Sequence, residues 1–169
     1  MIIVVMGVSG AGKSTVGKAL AQALNACFIE GDAFHPKANI DKMKSGQALT
    51  DIDRAEWLGN LANELAMTAT NAVLACSALK QAYRDRLCKD LCQPISFVYL
   101  EAQIGTIAQR IMRREAHFMP ISLLDSQFDA LEPPEDAIRI DANLPILSIV
   151  SMVAEMFRQH ISDGGHDKQ

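Results

Sequence analysis

Residues 2–15 read Ile2-Ile3-Val4-Val5-Met6-Gly7-Val8-Ser9-Gly10-Ala11-Gly12-Lys13-Ser14-Thr15. The five apolar residues have the pattern of a buried strand, and Val16, Ala19, Leu20, Ala23 and Leu24 follow at helical spacing. Between strand and helix lies G-x-x-x-x-G-K-[ST], in the setting this motif requires. Gly7, Gly10 and Gly12 let the backbone turn successive N–H groups inward around an anion, so Val8, Ser9 and Ala11 contribute through their amides. Lys13 adds a mobile positive charge for terminal phosphates, and the Ser14 hydroxyl is a ligand suited to Mg²⁺. The helix beginning here, with Thr15, points its positive end at the same anion. A chance glycine-rich turn would not come with this context, so residues 7–15 are expected to bind nucleotide phosphates.

The remaining composition narrows the class. A chain of 169 residues is one ordinary domain, and 49% hydrophobic with 21% charged residues describes a globular protein. A formal net charge of -4 offers no overall basic field for nucleic acid. No apolar run approaches the roughly 18 to 20 residues of a membrane span. The N-terminal apolar run stops after five residues and lacks a basic leader, which predicts a cytoplasmic protein. Cys27, Cys76, Cys88 and Cys92 contain no C-x-x-C pair and read as reduced thiols; His35, His117, His160 and His166 are too scattered for a metal site.

Along the chain, apolar runs at 26–29, 72–76, 95–100 and 137–141 predict four more strands alternating with helices, hence a parallel α/β sheet with right-handed crossovers. The second run ends in Glu30-Gly31-Asp32, two carboxylates just past a strand's C-terminal end, where ligands bind in open parallel sheets. One can face hydrated Mg²⁺ and the other a substrate hydroxyl; a solvated turn is the plainer reading of such a triplet. Residues 33–53 are polar, punctuated by Pro36 and Gly46, and too long for a mere connector, which predicts a substrate flap with only a short helical possibility. Asp53-x-x-Glu56 reads as a capping box for a helix that faces inward with Leu58, Leu61 and Leu65, with Trp57 beside them.

Lys80, Arg84 and Arg86 fall near the start of the helix carrying Tyr83, Leu87 and Leu91. Cations there oppose the dipole, which suits either a visiting anion or a solvated face. The helix with Ile104, Ile107, Ala108 and Ile111 runs into Arg110, Arg113 and Arg114, and a lid is expected over about 114–131. The last helix begins near Asn143 and Pro145 with Ile146, Val150, Val153, Phe157 and Ile161 inward. A disordered polar tail is expected over 162–169, leaving a single domain over 1–161. Phosphate loop, strand-end carboxylates and arginine-bearing lid together suit a small-molecule kinase, whereas the N-K-x-D and D-x-x-G signatures of a switch GTPase are absent.

The chain resembles the gluconokinase family of P-loop carbohydrate kinases, relatives of shikimate and nucleoside monophosphate kinases, from Met1 to about residue 160. Besides the loop, the resemblance rests on Glu30-Gly31-Asp32 with His35-Pro36, Asn39-Ile40 and Lys42-Met43, then Leu49-Thr50-Asp51 with Asp53-Arg54 and Trp57-Leu58. It continues through Cys76-Ser77-Ala78-Leu79-Lys80 with Tyr83-Arg84-Asp85, and His117-Phe118-Met119-Pro120 with Ser126-Gln127-Phe128 and Leu131-Glu132. It implies a three-layer P-loop NTPase fold with sheet order 2-3-1-4-5 and ATP-dependent phosphorylation of D-gluconate at its 6-hydroxyl. Carried over by position, Lys13 and Ser14 handle phosphate and Mg²⁺, Glu30 holds metal-bound water, and Asp32 orients or deprotonates the hydroxyl. His35, Arg54, Lys80, Arg84, His117 and Gln127 meet the acceptor, Arg110 stacks near adenine and Arg114 reaches the phosphates. A homodimer is also implied. Two rivals are a kinase acting on shikimate or a nucleotide, and a nucleotide-binding regulator without catalysis.

Overall fold

The computed structural model describes residues 1–89, 91–112 and 123–163, with side chains as far as Arg158. Five strands, β1 (Ile2–Met6), β2 (Cys27–Glu30), β3 (Ala72–Ala75), β4 (Ile95–Glu101) and β5 (Ile138–Asp141), form one parallel sheet in the order β2-β3-β1-β4-β5. The helices are α1 (Lys13–Ala23), α2 (Lys37–Lys44), α3 (Asp51–Met67), α4 (Gln81–Cys88), α5 (Ile104–Met112), α6 (Leu124–Asp129) and α7 (Ile146–Asp163).

The period-2 geometry of strands explains why β1 is apolar throughout. Ile3 and Val5 join Val16, Leu20, Val98, Ile149, Val153 and Phe157 on the side covered by α1 and α7. Ile2, Val4 and Met6 join Trp57, Leu58, Leu61, Leu65, Tyr83 and Leu87 on the side covered by α3 and α4. Both faces of the strand are therefore removed from water, and each fully buried large side chain contributes on the order of 1.5–3 kcal/mol of transfer free energy. The three-layer arrangement and its sheet order are those the family resemblance implies.

Several local expectations need correction. The flap is more ordered than its polarity suggests: residues Gly31–Phe34 make a 3₁₀ turn and α2 follows directly. The capping box lies three residues earlier than expected. Thr50 is the N-cap, its hydroxyl accepting from the Asp53 amide while the Asp53 carboxylate accepts from the Thr50 amide at 2.6 Å. Asp53 takes the place of the usual Glu at the third helical position because it is tied there from the other side as well, by Lys42 Nζ at 2.6 Å. Ile146, expected inside, is exposed; Ile149 and Ala154 instead share the buried face of α7 with Val150, Val153 and Phe157. The last helix runs to Asp163, two residues into the stretch expected to be a tail, and 164–169 lie outside the described residues.

The parallel order puts all strand C-terminal ends on one edge. The chain leaves β1 toward β2 on one side and later returns to β4 on the other, so the crevice beside β1 is the switch point at which such sheets bind ligands. The phosphate loop and Asp32 both stand on that edge.

Candidate active site

The loop between β1 and α1 has the backbone its glycines permit. Gly7 has φ +138°, and a Cβ there would lie 2.8 Å from the Leu100 carbonyl oxygen; Gly12, with φ +100°, is the left-handed N-cap of α1. Lys13 is the first residue of that helix, and its side chain curls back to donate from Nζ to the Val8 carbonyl at 3.1 Å. Although the residue is half-buried, its ammonium end is enclosed. Burial pulls the Lys13 pKa below the ordinary lysine value, against the opposing pull of Asp32, Cys76 and Glu30. Ser14 is half-buried beside it, and Thr15 is exposed.

Across the crevice, β2 delivers Glu30, Gly31 and Asp32. Gly31 is the residue that allows this placement: a Cβ there would meet the Ala75 carbonyl oxygen at 2.4 Å, so no other residue lets β2's end lie so close to β3. The Gly31 carbonyl accepts from the Trp57 indole at 2.8 Å, which anchors the turn carrying Asp32 onto buried α3. His35 stacks on the same indole, ring centroids 4.2 Å apart and planes 13° from parallel. Its pKa is lowered, chiefly by burial and further by Arg54, against Asp32, which keeps the imidazole neutral at pH 7. Asn39, buried in α2, approaches His35 Nδ1 at 3.5 Å and donates to the Asp53 carbonyl at 2.7 Å.

These pieces wall a single cavity of about 50 Å³. Its lining brings together Ser9 and Lys13 from the phosphate loop, Asp32 and His35 from the turn after β2, Arg54 and Trp57 from α3, and Gln127 from α6. Arg54 Nη1 donates to the Leu49 carbonyl at 2.6 Å and to the Tyr83 hydroxyl at 3.3 Å, so its guanidinium is held in place before any ligand arrives. Gln127 Oε1 accepts from the Ser9 amide at 2.7 Å and so ties α6 to the phosphate loop.

A second pocket, of about 370 Å³, lies on the other flank of the loop, lined by Gly10, Gly12, Thr15, Arg110, Ala142, Leu144 and Ile146. Arg110 donates to the Ala142 carbonyl at 2.8 Å and to Asn143 Oδ1 at 3.2 Å, which fixes its plane at the mouth. The exposed Ile146 is explained here, since it borders this pocket and not the core.

The structure does not bring every expected residue to the first cavity. Arg84 is 97% removed from solvent, being 3% exposed, and donates to the Ala78 and Leu79 carbonyls and the Gln81 side chain. It braces the β3–α4 loop from behind, because a guanidinium one turn into α4 reaches back to carbonyls that the turn leaves open. This also resolves the dipole conflict at α4 without an anion. Lys80 is near the cavity but is paired with Asp51 at 2.9 Å. Arg114 and His117 lie outside the described residues. Sequence reading missed Asn39, Asp51 and the supporting parts of Trp57 and Tyr83. The single Trp, three residues after Arg54, was the available signal; its packing beside Leu58, Leu61 and Leu65 was read, but not its support of Gly31 and His35.

Among the described residues no group of three or more His, Cys, Asp and Glu is placed to hold a metal ion. Ser14 and Glu30, one hydroxyl and one carboxylate, are a donor set that fits Mg²⁺ held mostly by phosphates and water. The described cysteines are free, and burial pushes the Cys76 thiol up to about 12, so it stays protonated. Among the described residues no helix is long and apolar enough to cross a membrane.

Comparison with known proteins agrees with this geometry. A family model described as an AAA domain matches residues 2–134. A gluconokinase from Gluconobacter oxydans is 52% identical over 137 residues, covering 79% of this chain and 76% of that protein. The thermoresistant gluconokinase of Escherichia coli is 39% identical over 165 residues, covering 94% of each. The crystal structure of a gluconokinase from Sinorhizobium meliloti superposes with a TM-score of 0.86 at 41% identity, covering 97% of both chains. With a family model over residues 2–134 and gluconokinases 39–52% identical over most of its length, the chain belongs to the gluconokinase family of P-loop kinases.

Proposed function

We propose that the protein transfers the terminal phosphoryl group of ATP to the 6-hydroxyl of D-gluconate, giving 6-phosphogluconate and ADP. The observation that carries this reading is that Lys13 and Asp32 wall the same cavity, with Arg54, His35 and Gln127 completing its sides. The loop amides and Lys13 hold the phosphates, and Lys13 exchanges its bond to the Val8 carbonyl for a phosphate oxygen. Asp32 accepts the hydroxyl proton as the new O–P bond forms and the bond from phosphorus to the ADP oxygen breaks. Mg²⁺, when bound near Ser14 and Glu30, supplies charge neutralisation for the phosphates. Phosphoryl transfer needs little more than alignment and charge placement, and these groups supply both.

At the acceptor end Arg54 matches a carboxylate, while neutral His35 and Gln127 suit hydroxyls. A small polyol anion offers little apolar surface, so such charge-assisted and polar bonds carry recognition. Arg110 borders the base. Arg114 and His117 are assigned to phosphate and acceptor on their positions in the family pattern. The protein is further assigned to the cytoplasm and to a homodimer.

A coupled ADP-release assay over gluconate, shikimate and nucleoside monophosphates tests the reading. Turnover is expected with gluconate; an inert gluconate beside an active alternative acceptor overturns it.

A further inference from the structure

The charge at the acceptor end is set partly from outside the cavity wall. Asp51, at the start of α3, accepts from Lys80 Nζ at 2.9 Å on each oxygen and from the Tyr83 hydroxyl at 2.5 Å, and it lies 3.9 Å from Arg54 Nη1. The Arg54 guanidinium and the Lys80 ammonium sit 5.6 and 5.7 Å from the centre of the Tyr83 ring. Two cations and one carboxylate thus share one aromatic hub, with a sum of one positive charge. Lys13 and Asp32 face each other at the phosphate end and offset one another, and His35 adds no charge at neutral pH.

We infer that Asp51 is a specificity residue: by cancelling the Lys80 charge it leaves the acceptor end with one net positive charge, which favours a monoanionic acceptor over a dianion. This rests on the assignment of the cavity to a sugar-acid acceptor. Asp51 does not touch the cavity and acts through Lys80, Tyr83 and Arg54. Its side chain is 61% exposed and that of Lys80 30%. Solvent therefore screens the effect, which should amount to about fivefold in relative affinity for each unit of charge removed.

The test uses the full chain at low ionic strength and compares inhibition by D-glucarate, the dicarboxylate with the same carbon chain, with the KM for gluconate. Asp51→Asn is expected to lower the ratio of glucarate Ki to gluconate KM about fivefold, and Lys80→Met to raise it by a similar factor. Asp51→Asn combined with Lys80→Met should return the ratio to the wild-type value, a rescue that a purely structural tie between α3 and α4 would not give. Because the ratio is taken within each variant, a general loss of stability cancels. An unchanged ratio in Asp51→Asn, or a double variant that fails to recover, overturns the inference while leaving gluconate as the acceptor. A wild-type protein that does not phosphorylate gluconate removes both.

Discussion

At the scale of single residues, the account turns on Asp32, in the turn after β2, and Lys13, at the start of α1, serving one cavity. Asp32→Asn keeps the size and hydrogen-bonding capacity of the side chain but cannot take a proton. Its turnover should fall by about 10²-fold or more while ATP binding, read by calorimetry, changes little. Unchanged turnover would remove Asp32 from proton transfer. Both residues were legible in the sequence, Lys13 from a motif with a mechanism and Asp32 from its position past a strand. The role of Arg84 was not, because spacing alone does not tell a guanidinium that faces a ligand from one that caps its own loop. Only the carbonyls of Ala78 and Leu79, brought within 3.1 Å by the fold, decide that.

Gly31 shows how one backbone position serves chemistry. Gly31→Ala places a methyl group 2.4 Å from the Ala75 carbonyl, so β2 must separate from β3 and carry Asp32 with it. A loss of about 1–3 kcal/mol in chemical denaturation, together with a fall in kcat/KM, is expected. Loss of stability without loss of activity would show that the Asp32 turn is not held by this contact.

At the scale of elements, the flap helix α2 is locked to the start of α3 at one junction. Asp53 accepts from Lys42, from the Thr50 amide and from the Thr50 hydroxyl, and these bonds, Lys42 first, hold its carboxyl well below the usual carboxylate range. Since the folded pKa is depressed, the stabilisation is complete above the unfolded value of roughly 4 and is lost as pH falls below it. Urea denaturation of wild type should weaken through that acid range, and Asp53→Asn should flatten this part of the curve. Identical pH dependence in the two proteins would show that the junction contributes nothing. The helices on either side of this junction were only partly readable. A stretch as polar as 37–44 has no apolar stripe to betray it, since α2 buries just Asn39 and Met43. Its order comes from side-chain bonds to α3, which no local pattern records.

At the scale of the whole molecule, the alternation of apolar runs and helical spacing was enough for a parallel sheet, and family likeness supplied its strand order. The exposed Ile146 was misread because position on a helical stripe does not reveal where the neighbouring layer ends and a pocket begins. The two pockets lie on either flank of one phosphate loop, so a ligand occupying it stabilises the folded state as a unit. A non-hydrolysable ATP analogue with Mg²⁺ at about a hundred times its Kd adds about 2.7 kcal/mol, or roughly 5–10 °C in Tm for a domain of this size. A Tm that stays put at that occupancy would show that nucleotide also binds the unfolded chain.

The most direct test of the central claim is a crystal structure with gluconate and the same ATP analogue. The primary hydroxyl of gluconate should lie about 3 Å from the Asp32 carboxylate and face the terminal phosphate beside Lys13. Gluconate bound on the far rim of the sheet, with its hydroxyl away from Lys13, would contradict the account.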